Sequence, residues 1–146
     1  MPFLGYHHAQ VSIPPGGEAA ARRFYGTVLG LPEVPLPKSV AGRALLWFAV
    51  GDRTLHVAVE AGIDRRTKAH LAYEVDDIAD CRRRLLADGR ELVEQPKLEG
   101  YDRFHVLDPF GNRLELIGRV TTAASRDIQP VNRLDDGGKR STIARV

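Results

Sequence analysis

One cysteine, one tryptophan and one methionine are all that this 146-residue chain holds of those three types. A lone Cys81 cannot close a disulfide within the chain, and that usage fits a reducing compartment. No apolar run approaches the roughly 20 residues that a membrane-spanning helix requires. The N-terminus also lacks the basic start and apolar core of a secretory signal. The expectation is a cytoplasmic protein with no membrane partner. Charge of one sign is equally scarce, the formal balance being +2. Arginines are scattered over Arg65 and Arg66, Arg82 to Arg84 and the C-terminal stretch, with no aromatic residues gathered beside them. A nucleic-acid partner is therefore not expected. No sequence-local metal motif is present either.

What is there reads as an ordinary globular domain, with 43% hydrophobic and 27% charged residues and enough length to bury a core. The pattern is clearest from Arg103 to Ile117. Asp108, Pro109, Phe110 and Gly111 form a turn signal, because Pro fixes φ and Gly accepts positive φ. In the flanking arms side chains alternate between faces. Arg103, His105 and Leu107 share one face of the first arm, and Arg113, Glu115 and Ile117 share one face of the second. Phe104, Val106, Leu114 and Leu116 make the opposite, apolar side. The stretch predicts a hairpin that is half core and half site.

The rest of the chain repeats this arrangement. Tyr6 to Ile13 alternates with His8, Gln10 and Ser12 on one side, as a half-buried strand does. Glu18 to Leu29 has helical spacing at Ala20, Ala21, Phe24, Tyr25 and Val28, with Gly30 as its C-terminal cap. A Pro-rich passage follows, then strands over Ala44 to Val50 and Arg53 to Glu60 around a Gly51–Asp52 turn. In the second of these, His56 faces away from Leu55 and Val57. After a polar linker from Ala61 to Ala69, His70 to Val75 opens a second unit. Asp77 caps a helix whose apolar stripe is Ile78, Cys81, Leu85 and Leu86, ended by Gly89. Glu91 to Val93 is a short strand, and the hairpin closes the unit.

Two βαβββ modules are thus expected, about residues 5–60 and 69–118, within one domain over 1–119, with a polar tail over 120–146. The interval from His8 to His70 nearly matches that from His56 to Glu115, which supports an internal duplication. The fold class is α+β, with curved mixed sheets forming a cup and helices outside. His8, His56, His70 and Glu115 then project from corresponding strands onto the inner face. Imidazoles and a carboxylate suit Zn, Fe, Mn, Ni or Co, and two His with one carboxylate leave positions open for substrate. Glu115 has another option, an ion pair with Arg113 or Arg103 on the same face.

The two modules resemble those of the vicinal oxygen chelate superfamily. So do the Phe24–Leu31 helix end, the His70, Val75 and Asp77 spacing, and the Asp108, Pro109, Gly111 and Glu115 motif. That superfamily includes glyoxalase I, fosfomycin-modifying enzymes, extradiol dioxygenases, methylmalonyl-CoA epimerase and bleomycin-binding proteins. The resemblance implies a divalent metal held by His8, His70 and Glu115, with His56 a fourth ligand or a donor to one. It implies a small-molecule substrate that chelates the metal through two neighbouring oxygens. His105 stands near a position where relatives place a site Tyr and is a candidate general acid or base; its alternative is a rim histidine. Arg103 is a candidate for orienting an anionic group, and Trp47 or Phe48 for an apolar wall. Ser12 stands near where bacterial glyoxalase I carries an Arg, which weakens the glyoxalase reading. Two functions remain: a metal-dependent lyase, isomerase, transferase or dioxygenase, and a non-catalytic binder of an antibiotic or other small ligand. A homodimer is expected, because each module exposes a sheet edge that needs covering.

Overall fold

The computed structural model describes residue 2 and residues 5–43, 45–62, 67–96 and 98–120. The expected tail, from residue 121 on, and the middle of the polar linker lie outside the described residues.

The first unit runs β1 (His8–Ile13), helix α1 (Glu18–Ala21) continuing into a π-helical stretch (Arg22–Val28), β2 (Glu33–Val34), a 3-10 turn (Lys38–Val40), β3 (Leu45–Val50) and β4 (Arg53–Val59). The second runs β5 (His70–Val75), α2 (Ile78–Ala87), β6 (Leu92–Glu94), β7 (Tyr101–Leu107) and β8 (Arg113–Arg119). Each unit forms a four-stranded sheet, ordered β1-β4-β3-β2 and β5-β8-β7-β6. The opening strand of each lies parallel to the closing strand, and the other pairs are antiparallel. Two βαβββ modules with open, curved mixed sheets are the α+β fold expected. Among the described residues no helix is long and apolar enough to cross a membrane.

Alternation explains the layering. Phe48, Leu55 and Val57 of the first sheet are buried, as are Phe104, Val106, Leu114 and Leu116 of the second, and they share one core with Phe24, Tyr25 and Leu85 of the helices. Each such side chain contributes roughly 1.5–3 kcal/mol relative to an exposed one. Asp77 caps α2 by accepting from the Asp80 amide at 2.8 Å, and Gly89 follows at φ +75°. Gly118 lets α2 lie close on β8, since a Cβ there would stand 2.9 Å from Ile78 Cβ.

Four local expectations are corrected. The first helix is α-helical for only one turn. From Arg22 it widens, with the Leu29 amide bonding the Phe24 carbonyl at 2.9 Å, and the adjacent Phe24 and Tyr25 are both fully buried. Leu86 is 58% exposed and leaves the apolar stripe; its neighbour Leu85 takes the inward direction, and successive helical residues point about 100° apart. The short strand β6 starts one residue later than expected. The Pro-rich passage contains β2, which pairs Glu33 with Phe48 and Val34 with Trp47; Pro is compatible with such an edge strand.

Asp88 joins the two units. Its side chain, 3% exposed, bonds Arg90 Nε at 2.9 Å and pairs with Arg23 of the first unit. Burial, the largest influence, pushes the Asp88 carboxyl up, but the hydrogen bonds and charges of Arg90 and Arg23 outweigh it and hold the carboxyl below its usual range. A folded-state value below the unfolded value of about 3.9 means that the unfolded chain takes up the proton first. The stabilisation is then present above about pH 3.9 and is lost as pH falls through the lower folded-state value. Urea denaturation of wild type and Asp88→Asn across this range is the check. The stability gap between them is expected to be widest near neutrality and to close in acid; a constant gap would contradict the ion-pair assignment.

Candidate metal centre

Strand register gathers the polar face of the second unit. Glu115 on β8 stands opposite Ala72 of β5 and His105 of β7, while His70 stands opposite Arg113. The ligating atoms of His70, His105 and Glu115 all lie within 4.8 Å of one another. His70 Nε2 is 2.8 Å from Glu115 Oε2, and His105 Nε2 is 3.3 Å from the same oxygen. The other carboxylate oxygen accepts from Arg103 Nη1 at 3.0 Å, and Arg103 Nε donates to the Pro96 carbonyl at 2.8 Å.

The protonation pattern follows from donor chemistry. His70 Nδ1 sits 2.9 Å from the Lys68 carbonyl, which only accepts, so Nδ1 carries the proton. A neutral His70 then presents a lone pair at Nε2, facing a carboxylate oxygen. Two lone pairs at that separation require a cation, either a second proton on the ring or a metal ion. His105 Nδ1 is buried with no hydrogen-bond partner among the described residues. Burial, the largest influence, pushes Glu115 up, but hydrogen bonds from Arg103, His105 and His70 and the Arg103 charge outweigh it, holding the carboxyl below its usual range. Glu115 is thus a buried carboxylate, 4% exposed, anchored at one oxygen and presenting the other to two imidazoles. That donor set fits a divalent first-row ion.

The first unit carries its histidines differently. His56 lies between two rings, stacked on Trp47 at 3.9 Å and 3° and on His8 at 4.2 Å and 15°. Its Nε2 is 3.0 Å from Thr54 Oγ1. Burial first, then the charges of His8 and His7, lower its pKa and favour the neutral ring. Neither His8 nor His56 belongs to the group formed by His70, His105 and Glu115. His8 and His70 do line one cavity of about 740 Å³.

The proposed substrate contacts are sorted by the same geometry. Phe48 is corrected: it is fully buried and packs on Tyr25 at 5.7 Å, in the core beneath the sheet. Strand alternation allows only one of two consecutive residues on each face, and Trp47 takes the histidine side. Arg103 is engaged with Glu115. Arg113, left open in the sequence as the other partner of Glu115, has no ion-pair partner among the described residues, and its Nε is buried without a hydrogen bond. Its place two residues before Glu115 on one strand face was the only signal for it.

The comparisons with known proteins agree with this architecture. The family model described as Glyoxalase/Bleomycin resistance protein/Dioxygenase superfamily matches residues 6–116. A glyoxalase family protein from Bacillus anthracis is 34% identical, with a TM-score of 0.76, covering 82% of this chain and 98% of that one. A glyoxalase/dioxygenase from Nostoc punctiforme is similar at 20% identity and TM-score 0.67, covering 81% and 92%. A variant of the fosfomycin resistance protein FosX from Listeria monocytogenes, solved with Mn(II) and 1S,2S-dihydroxypropylphosphonic acid, shares the fold at 17% identity and TM-score 0.66, covering 82% and 95%. Among curated proteins none matches. With a duplicated βαβββ architecture, a family match over most of its length and a relative at 34% identity, this chain belongs to the glyoxalase/bleomycin resistance protein/dioxygenase superfamily.

Proposed function

We propose that the protein is a divalent-metal-dependent enzyme acting on a small oxygen-chelating substrate, by lyase, isomerase, transferase or dioxygenase chemistry. The observation that carries this reading is the approach of His70 Nε2 to 2.8 Å from a Glu115 oxygen whose partner oxygen is held by Arg103. His70 and Glu115 are the core of the ligand set. His8 lines the cavity that His70 lines, which supports it as a further ligand, with His56 behind it. When bound, Fe, Mn, Zn, Ni or Co supplies Lewis acidity that polarises a substrate oxygen. Arg103 keeps Glu115 ionised and oriented. His105, whose Nε2 lies 3.3 Å from the same carboxylate oxygen, holds or moves a proton. Trp47, its ring parallel to His56, supplies a flat wall against which a planar substrate rests. A second copy of the chain would cover the open sheet edges, giving a homodimer in the cytoplasm.

The test is metal content of tag-free protein by plasma mass spectrometry, with light scattering on the same sample. Near-stoichiometric metal at a mass well above 16.1 kDa is expected. Protein that contains no metal and takes none up on reconstitution would remove this reading. The Trp47, His56 and His8 stack favours one alternative, a non-catalytic binder that sequesters an antibiotic or other aromatic ligand. Micromolar drug affinity in metal-free protein would support it.

A further inference from the structure

Two arginines share the polar face with Glu115, and the structure uses them unequally. Arg103 is neutralised by Glu115 and tied to the Pro96 carbonyl. Arg113 has neither kind of partner among the described residues, although its Nε is buried. A partly buried guanidinium without a carboxylate forfeits hydrogen bonds that such groups ordinarily make. Its position is also particular. It pairs with His70 across the β5–β8 ladder. It lines one cavity of about 270 Å³ together with His105 and a second of about 280 Å³ together with His70.

Carboxylates near it do not account for it. Asp108 lines the first cavity but is occupied, its oxygens accepting from Tyr25 Oη, the Phe110 and Asn112 amides and Asn112 Nδ2. Glu91 lines the same cavity, is exposed, and forms no ion pair with Arg113. A planar cation between two cavities, each reaching one imidazole of the candidate centre, is suited to bind an oxyanion in fork geometry.

We infer that Arg113 is a specificity-determining residue that binds a carboxylate, phosphonate or similar oxyanion arm of a substrate whose other end occupies the His70–Glu115 site. The inference rests on the metal-centre reading above and adds the substrate class to it: an oxygen chelator that carries a separate anionic group. Arg103, by contrast, acts on Glu115 and contributes no free charge to the substrate.

Two probes with the same chelating head separate these claims. Catechol offers the vicinal oxygens alone, and 3,4-dihydroxybenzoate adds a carboxylate. Their affinities for metal-loaded protein are measured by calorimetry for wild type, Arg113→Met and Arg113→Lys. Wild type is expected to prefer the carboxylated diol by about tenfold, the effect of one charge-assisted hydrogen bond. Arg113→Met is expected to abolish that preference and leave catechol affinity unchanged, which also reports an intact fold. Arg113→Lys, a point charge without the fork, is expected to retain part of it. If wild type shows no preference, or the preference survives in Arg113→Met, the inference fails while the metal reading stands. If wild type binds neither diol, the oxygen-chelating-substrate reading fails and takes the inference with it.

Discussion

Glu115→Ala is expected to lower metal affinity by more than about 100-fold. Loss of a partner that merely orients a ligand costs about 10–100-fold, and here the proposed ligand itself is removed. The geometry makes Glu115 the centre of the group. One of its oxygens lies 2.8 Å from His70 Nε2 and 3.3 Å from His105 Nε2, and the other holds Arg103 at 3.0 Å. Without it the Arg103 guanidinium is left uncompensated beside the two imidazoles, and its charge repels a divalent cation. Metal content by plasma mass spectrometry, with far-UV circular dichroism as the fold control, is the measurement. Glu115→Gln refines it, because the amide oxygen still accepts from Arg103 while the charge is gone. If Glu115→Ala keeps stoichiometric metal, Glu115 is not a ligand.

Asp108→Ala is expected to lose at least about 3 kcal/mol of stability, because hydrogen bonds to a charged acceptor are worth about 1.5–3 kcal/mol each and buried donors left behind add to the loss. Asp108 is 3% exposed. Its Oδ1 accepts from the amides of Phe110 and Asn112 at 2.9 and 2.8 Å, which shapes the hairpin turn. Its Oδ2 accepts from Tyr25 Oη at 2.7 Å and Asn112 Nδ2 at 2.6 Å. Asn112 Nδ2 also donates to the Ser12 carbonyl at 3.0 Å. One carboxylate therefore closes a turn in the second unit and fastens it to the helix and opening strand of the first. Asp108→Asn retains one acceptor oxygen and is expected to fall between the two. Urea denaturation is the measurement, and a loss below about 1 kcal/mol for Asp108→Ala would show that the two units are held together elsewhere.

Much of this fold was legible because its signals are local. The strand from His70 to Val75, the Asp77 cap and the positive φ at Gly89 and Gly111 each agree with the sequence reading. The duplication was legible for a similar reason, since two copies of one pattern reinforce each other. Less could be read where packing overrides pattern. The π-helical turn at Phe24 and Tyr25 answers to the core around it, and nothing in the residue spacing separates it from an α turn. The two-residue β2 exists because β3 is there to pair with it.

The candidate centre divides along the same line. Alternation alone put His8, His56, His70, Arg103, His105, Arg113 and Glu115 on the polar faces of their strands, because side-chain direction in a strand is set by covalent geometry every second residue. Ladder register and the curvature of two sheets decided the rest. They brought His105 into the group with His70 and Glu115, slotted His56 between Trp47 and His8, gave Glu115 to Arg103, and left Arg113 facing two cavities. Those choices depend on contacts between residues far apart in the chain, whose distances only the assembled core can set.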